Sequence, residues 1–442
     1  MPLGLFIDLY ALSMAQAYLA EHMHQTAVFE LAFRELPASR NYILVNGLAD
    51  VQEFLASFRI DPGDLDYLRG RGEFSAEFLS HLEHLRFTGD VYAIPEGTAV
   101  FPNEPLVQVV APILEAQWME TYVLNQVHFQ SLAASKAARV VAAARGRMVV
   151  DFGSRRAHGT DAALKVARAT YLAGGHGTSN VLASKLYGIP AFGTMAHSYI
   201  QAHEDELAAF ESFARLYPDT TLLVDTYDTL EGVRKVIELG RKLGDRFRIA
   251  AVRLDSGDLA SLAVATRQLL DQAGLEKIRI FASSGLDEYK VQALVASGAP
   301  IDAFGVGTKL AVMEDAPDLD MAYKLVEYAG RGRLKLSTRK VLYPGRKQVF
   351  RQIEKGRMLR DTIGRFDEQL PGEPLLKPLI LGGRPIAQVN LNESRLRLQR
   401  EMARLPETLR ALEPAPVPYP VAISHRLQAD FSAVSQELMH PV

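Results

Sequence analysis

The sequence predicts an α/β protein built chiefly by parallel β/α winding, and three observations carry that prediction. Apolar runs at Met148–Phe152, Ile189–Phe192, Thr221–Asp225, Ile249–Leu254, Ile278–Ala282 and Ile301–Val306 each end in small or charged residues. Amphipathic stretches such as Asp228–Leu243, Leu259–Ala273 and Asp287–Ala296 separate most of them, and strands alternating with helices imply parallel crossovers. Polar and glycine-rich segments follow the runs, on the side where β/α folds place their chemistry. Adding Gly175–Asn180 and Tyr323–Tyr328 brings the strands to about the eight that a closed barrel needs. An open doubly wound sheet has the same periodicity and stays an alternative.

The remaining elements follow in chain order. Leu5–Glu21 reads as an amphipathic helix, Phe29–Arg34 as a strand, and LPASRNYILVNG as a second strand after a turn. Ala49–Phe58 and Ser75–Leu85 are helical in pattern. Asp90–Pro112 reads as short strands broken by Pro95, Gly97, Pro102 and Pro105. Leu114–Arg147 gives one or two helices that lead into the alternating region. Past Gly330 a basic, irregular run, RGRLKLSTRKVLYPGRKQVFRQIEKGR, is expected to form a hairpin-rich, solvated return segment. Asn392–Leu412 is an amphipathic helix, and Glu413–Pro420 (EPAPVPYP) is too rich in proline for anything but extended chain. The expected division is 1–113 as an N-terminal α/β domain, 114–330 as the β/α barrel, and 331–442 as a return segment packing on the N-terminal domain.

Bulk properties exclude several functions. The 442 residues exceed one ordinary core, which calls for a large and a smaller domain. A net charge of −3 offers no electrostatic reason for nucleic acid or an anionic membrane, so any basic site is local. The absence of cysteine removes disulfides, thiolate metal sites and thiol nucleophiles. No run reaches the roughly 20 apolar residues of a membrane span, and the start lacks the basic flank of a signal peptide. A soluble, cytoplasmic protein is expected.

The constellations that carry chemistry cluster after the apolar runs. In DFGSRRAHG (Asp151–Gly159), Arg155 and Arg156 present forked donors for phosphate or carboxylate; the alternative is that one of them pairs with Asp151 in a turn. His197 in GTMAHS is a candidate general base or nucleophile toward phosphorus, or else a hydrogen-bonded structural histidine. In RLDSGD, Asp255 is placed to stabilise developing positive charge or to hold Mg²⁺ through water, while Ser256 and Asp258 suit helix caps. ASSGLDEY and FGVGTKL bring glycines where a phosphate can approach backbone N–H groups. No Walker loop and no protein metal cage is present in the sequence. The residues alone give a β/α enzyme acting on a phosphorylated sugar.

Taken together, DLYALSMAQAY, FELAFRELPASRNY, EGTAVFPNEPLVQV, DFGSRRAHGTDAAL, GTSNVLASKLYGIPAFGTMAHS, LLVDTYDTLEGV, RLDSGDL, SSGLDEY, IDAFGVGTKL and PGRKQV resemble the nicotinate phosphoribosyltransferases, in order from Asp8 to Arg351. The resemblance implies an irregular β/α barrel of the type II phosphoribosyltransferases with an N-terminal α/β domain completed by the C-terminal segment. It also implies that nicotinate, 5-phosphoribosyl 1-pyrophosphate and ATP are substrates, that Mg²⁺ takes part, and that a homodimer shares its active sites. By motif, His197 resembles the histidine that ATP phosphorylates transiently. Phe152 and a neighbouring subunit's Tyr10 resemble the aromatic pair around the pyridine ring, and Arg155 and Arg253 resemble residues lining the base and ribose site. Asp255 resembles the acid beside the ribose. Ser284, Gly285, Gly305, Gly307 and Thr308 resemble the grip on the 5-phosphate, and Arg34 resembles a residue reaching a neighbour's phosphates.

The nearest alternative, nicotinamide phosphoribosyltransferase, has an aspartate where this chain has Ser179. A hydroxyl can donate to an anionic ring substituent that a carboxylate would repel, which favours nicotinate. A barrel that binds pyridine nucleotide without turnover is the reading from another class. The chain departs from the family pattern at Ile7, where a threonine is usual, and at Ser284, where Ser-Gly-Gly-Leu is usual.

Overall fold

The structure is a computed structural model and describes residues 3–336 and 342–439. The chain divides into two compact units, Met1–Leu132 with Asp318–Val442, and Ala133–Pro317. The division falls at 132/133, inside the helix Glu120–Ala143, and at 317/318.

The second unit is a curled parallel sheet. Its six strands run in the order Thr221–Leu223, Ala251–Leu254, Arg279–Ala282, Ala303–Val306, Met148–Asp151 and Gly177–Thr178. All pairings are parallel, and a parallel bridge from Thr178 to Ala191 adds a seventh line. Sequence order therefore runs round the curl, as in a barrel, and among the described residues no pairing closes Ala191 onto Thr221–Leu223. The strands are short and apolar because both faces are covered, the outer by crossover helices. The inner face packs Val150, Phe281 and Ala303 with Met148, Phe152 and Phe192. Helix starts are set by short acids: Asp228, Asp258 and Asp287 accept backbone N–H groups in the first turns of Thr229–Leu243, Leu259–Gln272 and Glu288–Ala296.

The run Tyr323–Tyr328, expected in the barrel, lies elsewhere. The strand Met321–Tyr328 pairs antiparallel with Thr26–Phe33 in the first unit. Buried Tyr323 beside exposed Lys324 gives the alternation of a half-covered antiparallel strand, unlike the continuously buried Ala303–Val306. That antiparallel sheet has seven strands, in the order Arg331–Gly332, Met321–Tyr328, Thr26–Phe33, Val107–Pro112, Asp90–Ala93, Lys377–Leu381 and Arg384–Pro385. Strands from both ends of the sequence thus interleave in one sheet.

The basic return segment is not uniformly solvated. Lys347 and Arg351, in the strand Lys347–Glu354, are buried, Lys347 on Glu30 and Arg351 on Asp361 and Glu401. Each cation enters the core because a carboxylate meets it there. The part of that run at 337–341 lies outside the described residues. Glu413–Pro420 forms neither helix nor strand and bends at Glu413, Pro416 and Val417, and Tyr419 stacks on Phe101 at 3.8 Å while donating to Asp361.

Candidate active site

The C-terminal ends of the parallel strands surround a cavity of about 570 Å³. Its walls include Phe152, Arg155, Arg156, Ser179, Thr194, His197, Arg253, Asp255, Ser283, Ser284, Gly285, Gly305, Gly307 and Thr308. Every candidate residue assigned from this unit's sequence lines it. Tyr10 and Arg34 belong to the other unit. Tyr10 is half-exposed at the start of the helix Leu9–Ala20, and burial together with Glu120 pushes its hydroxyl up to about 12. Arg34 pairs with Asp320 at 3.2 Å.

Arg253 and Asp255 form the centre of the cavity wall. Arg253 Nε donates to Ser283 Oγ at 2.8 Å, Nη1 to Thr194 Oγ1 at 3.1 Å and Nη2 to Asp255 Oδ1 at 2.9 Å. Its guanidinium lies over the Phe152 ring, 5.2 Å from the centroid. Of the five guanidinium N–H groups, two remain for a ligand. Ser283 Oγ in turn donates to Asp255 Oδ1. Burial alone would raise the Asp255 carboxyl, but the Ser283 hydroxyl and the Arg253 charge hold it below the ordinary range. Asp255 is therefore an anion at neutral pH in a half-buried site.

His197 opens the helix His197–Gln201, with Nδ1 3.1 Å from Thr226 Oγ1 and Nε2 3.7 Å from Asp255 Oδ2. If Nδ1 carries its proton toward Thr226, the Nε2 lone pair is open. Asp225 fixes the neighbouring loop: its Oδ2 accepts the Asp255 N–H at 2.8 Å and the Ser256 hydroxyl at 2.6 Å. The candidate cap Ser256 is spent on this contact, and Asp258 alone caps the helix.

Asp151 is fully buried and accepts from Gly153 N and Thr178 Oγ1, each at 2.7 Å. Burial raises its carboxyl, against the pull of these two bonds. The alternative pairing of Asp151 with an arginine is thus replaced by Gly153 and Thr178. Arg155 and Arg156 are exposed in the short helix Ser154–Arg156, with no carboxylate partner among the described residues. Two free cations beside an already neutralised Arg253–Asp255 pair give the cavity a local affinity for anions.

The glycines at the ends of the strands Arg279–Ala282 and Ala303–Val306 are demanded by different surroundings. A Cβ on Gly305 would lie 2.6 Å from the Phe152 ring and 2.9 Å from the Phe281 ring. Those rings stack at 5.5 Å, so Gly305 makes room for the aromatic wall. Ser284 holds φ 103° and Gly285 φ 55°, a left-handed pair that turns the loop after Arg279–Ala282 back toward the cavity.

Sequence reasoning did not assign Thr194, Asp225, Thr226 or Ser283, which hold Arg253, Asp255 and His197. Asp225 and Thr226 lie in LLVDTYDT, at the end of a strand, a position that signals a site residue. Nothing local marks Thr194 or Ser283 as partners of Arg253.

Fold and cavity together are those of a curled parallel β/α enzyme whose strand ends frame a cavity suited to anions. Residues 5–128 match the nicotinate phosphoribosyltransferase (NAPRTase) N-terminal domain, and residues 148–335 match the NAPRTase family. The chain belongs to the nicotinate phosphoribosyltransferase family. It is 62% identical over 431 residues to the nicotinate phosphoribosyltransferase pncB2 of Mycobacterium tuberculosis, covering 97% of this chain and 93% of that one. Identity to the Bacillus subtilis nicotinate phosphoribosyltransferase is 42%, covering 85% of this chain and 79% of that one. The crystal structure of human nicotinic acid phosphoribosyltransferase superposes with a TM-score of 0.87 at 30% identity, covering 97% of this chain and 99% of that one.

Proposed function

We propose that this cavity joins nicotinate to 5-phosphoribosyl 1-pyrophosphate, giving nicotinate mononucleotide and diphosphate for NAD salvage, with ATP hydrolysis coupled through a phosphohistidine at His197. The observation that carries the reading is the convergence of His197, Asp255, Arg253 and the segments Ser283–Gly285 and Gly305–Thr308 on one cavity.

In the transfer, the pyridine nitrogen forms its bond to the ribose C1 as the C1–O bond to diphosphate breaks. Positive charge grows on the ribose, and the Asp255 carboxylate, kept ionised by Ser283 and Arg253, stabilises it. The two unused N–H groups of Arg253 face the nicotinate carboxylate, Phe152 supplies an apolar face for the ring, and the Ser179 hydroxyl donates to the carboxylate. Backbone N–H groups of Ser284, Gly285 and Thr308, together with the Thr308 hydroxyl, hold the 5-phosphate. His197 Nε2 attacks the γ-phosphorus of ATP, releasing ADP, and water later takes the phosphoryl group.

Among the described residues no set of three or more His, Asp or Glu is placed to hold a metal. The donors nonetheless fit Mg²⁺, which keeps much of its water shell and takes one or two carboxylates. Asp225 Oδ1 is buried without a hydrogen-bond partner, and Asp255 lies one strand over. A Mg²⁺ ion held by these two would neutralise charge on the leaving diphosphate.

A homodimer is part of the reading, with the partner subunit contributing Tyr10 and Arg34. It is supported by the exposed apolar residues Leu9, Tyr10 and Met14 on one helix and Val181, Leu182 and Leu186 on another. No helix among the described residues is long and apolar enough to cross a membrane, and a cytoplasmic setting fits a chain without cysteine. The phosphohistidine is tested with γ-labelled ATP. The parent should take up acid-labile, base-stable label, and His197→Ala should take up none while keeping some ATP-independent transfer. Equal ATP stimulation in mutant and parent contradicts the role.

A further inference from the structure

Beneath the two anion-accepting loops lies a set of buried charges that the transfer chemistry does not use. Lys136, on the helix Glu120–Ala143, is 1% exposed. Its ammonium donates to Glu288 Oε2 and, at 2.7 Å, to Asp315 Oδ1. Arg139, one turn on, donates Nε to the other Glu288 oxygen at 3.0 Å and Nη2 to Tyr289 Oη at 2.9 Å. Glu288 is the first residue of the helix that follows the Ser283–Asp287 loop, and is fully buried. Asp315 lies four residues beyond the helix Thr308–Ala311, which follows the strand Ala303–Val306 through Gly307. One ammonium therefore ties together the chain segments that leave both loops. A second tie runs outside it, from Lys309 of the second loop's helix to Asp287 of the first loop at 3.3 Å.

Two cations and two carboxylates in this set balance, so the charge needs no ligand to neutralise it. A buried ion pair adds little net stability compared with apolar packing, but it does fix geometry when its partners sit on separate segments. The separation of the two loops matters because each supplies only part of a phosphate cradle. Loss of about 1 Å in such a placement costs up to two orders of magnitude in rate.

We infer that Lys136 is a positioning residue that holds the two loops at the spacing a single sugar phosphate requires. The inference rests on the reading of those loops as the 5-phosphate grip. Lys136 touches no substrate; it acts through Glu288 and Asp315.

The test is steady-state kinetics with phosphoribosyl pyrophosphate and nicotinate varied in turn, beside thermal unfolding. Lys136→Met should raise KM for phosphoribosyl pyrophosphate about tenfold or more, leaving KM for nicotinate within about threefold. The double variant Lys136→Met/Asp315→Asn, which restores neutrality without the tie, should regain Tm but keep the high KM. If KM returns with Tm, Lys136 serves stability only and the inference fails. Asp315→Ala alone, at a partly exposed position, removes the acceptor and with it the tie, and gives the same KM reading where Lys136→Met does not fold; an unchanged KM there also overturns the inference. Thr308→Ala separates the two claims. If it leaves KM for phosphoribosyl pyrophosphate unchanged, the loop assignment itself is wrong; if it raises KM while the Lys136 and Asp315 variants do not, only the positioning role is lost.

Discussion

Ser284 carries a Cβ at φ 103°. A non-glycine residue held there costs about 1–3 kcal/mol, part of which glycine returns through its freedom in the unfolded chain. Ser284→Gly should therefore raise unfolding stability by about 1 kcal/mol without weakening phosphoribosyl pyrophosphate binding, since the backbone N–H remains. Denaturant unfolding and KM check this; a destabilised variant would show that the serine hydroxyl holds the loop. Ser179 gives a second residue-scale outcome. It lines the cavity, with its N–H bound to the Asp151 carbonyl at 2.8 Å. Ser179→Asp should lower kcat/KM for nicotinate relative to nicotinamide by about tenfold or more, and an unchanged ratio removes the specificity argument. At this scale the sequence was readable where a residue type has one main use. His197, Arg253 and Asp255 stand at the ends of apolar runs and are brought together. Ser283 and Thr194 were not readable, because a hydroxyl that orients an arginine looks like any other serine or threonine.

The parallel strands were legible as elements because each is buried on both faces and ends in polar residues. Met321–Tyr328 was misplaced because length and apolar content alone do not distinguish a barrel strand from an antiparallel one. The return segment was misread for a different reason: a basic run shows no sign of which cations have buried partners. Arg351 is held by Asp361 and Glu401, with Glu104 and Tyr419 close by. Glu104 is fully buried; burial first, then the charge and hydrogen bond of Asp361, raise its carboxyl well above the ordinary range against the pull of Arg351. Its folded pKa exceeds the unfolded value, so between the two the native state binds more protons and stability falls as pH rises. Glu104→Gln keeps the acceptor for the Phe101 N–H and a donor toward Asp361, but cannot ionise. The variant should lose stability less steeply than the parent as pH rises above the ordinary carboxylate range. Urea midpoints of both proteins from pH 5 to 9 check this, and parallel curves contradict it.

For the whole molecule, the interleaving of the chain's two ends in one antiparallel sheet escapes sequence reading, because pairing between Asp90–Ala93 and Lys377–Leu381 leaves no local mark. The barrel unit is more legible, since its connections are local and run in order round the curl. The proposed site lies there too, where the strand ends deliver cations, a carboxylate and a histidine to one cavity. Diphosphate release from phosphoribosyl pyrophosphate, measured with nicotinate or nicotinamide and with or without ATP, tests that convergence most directly. Nicotinate should support turnover that ATP stimulates, with nicotinamide about 10²-fold poorer and Asp255→Asn about 10²-fold slower. Equal turnover with nicotinamide, or none with either pyridine, would contradict the account.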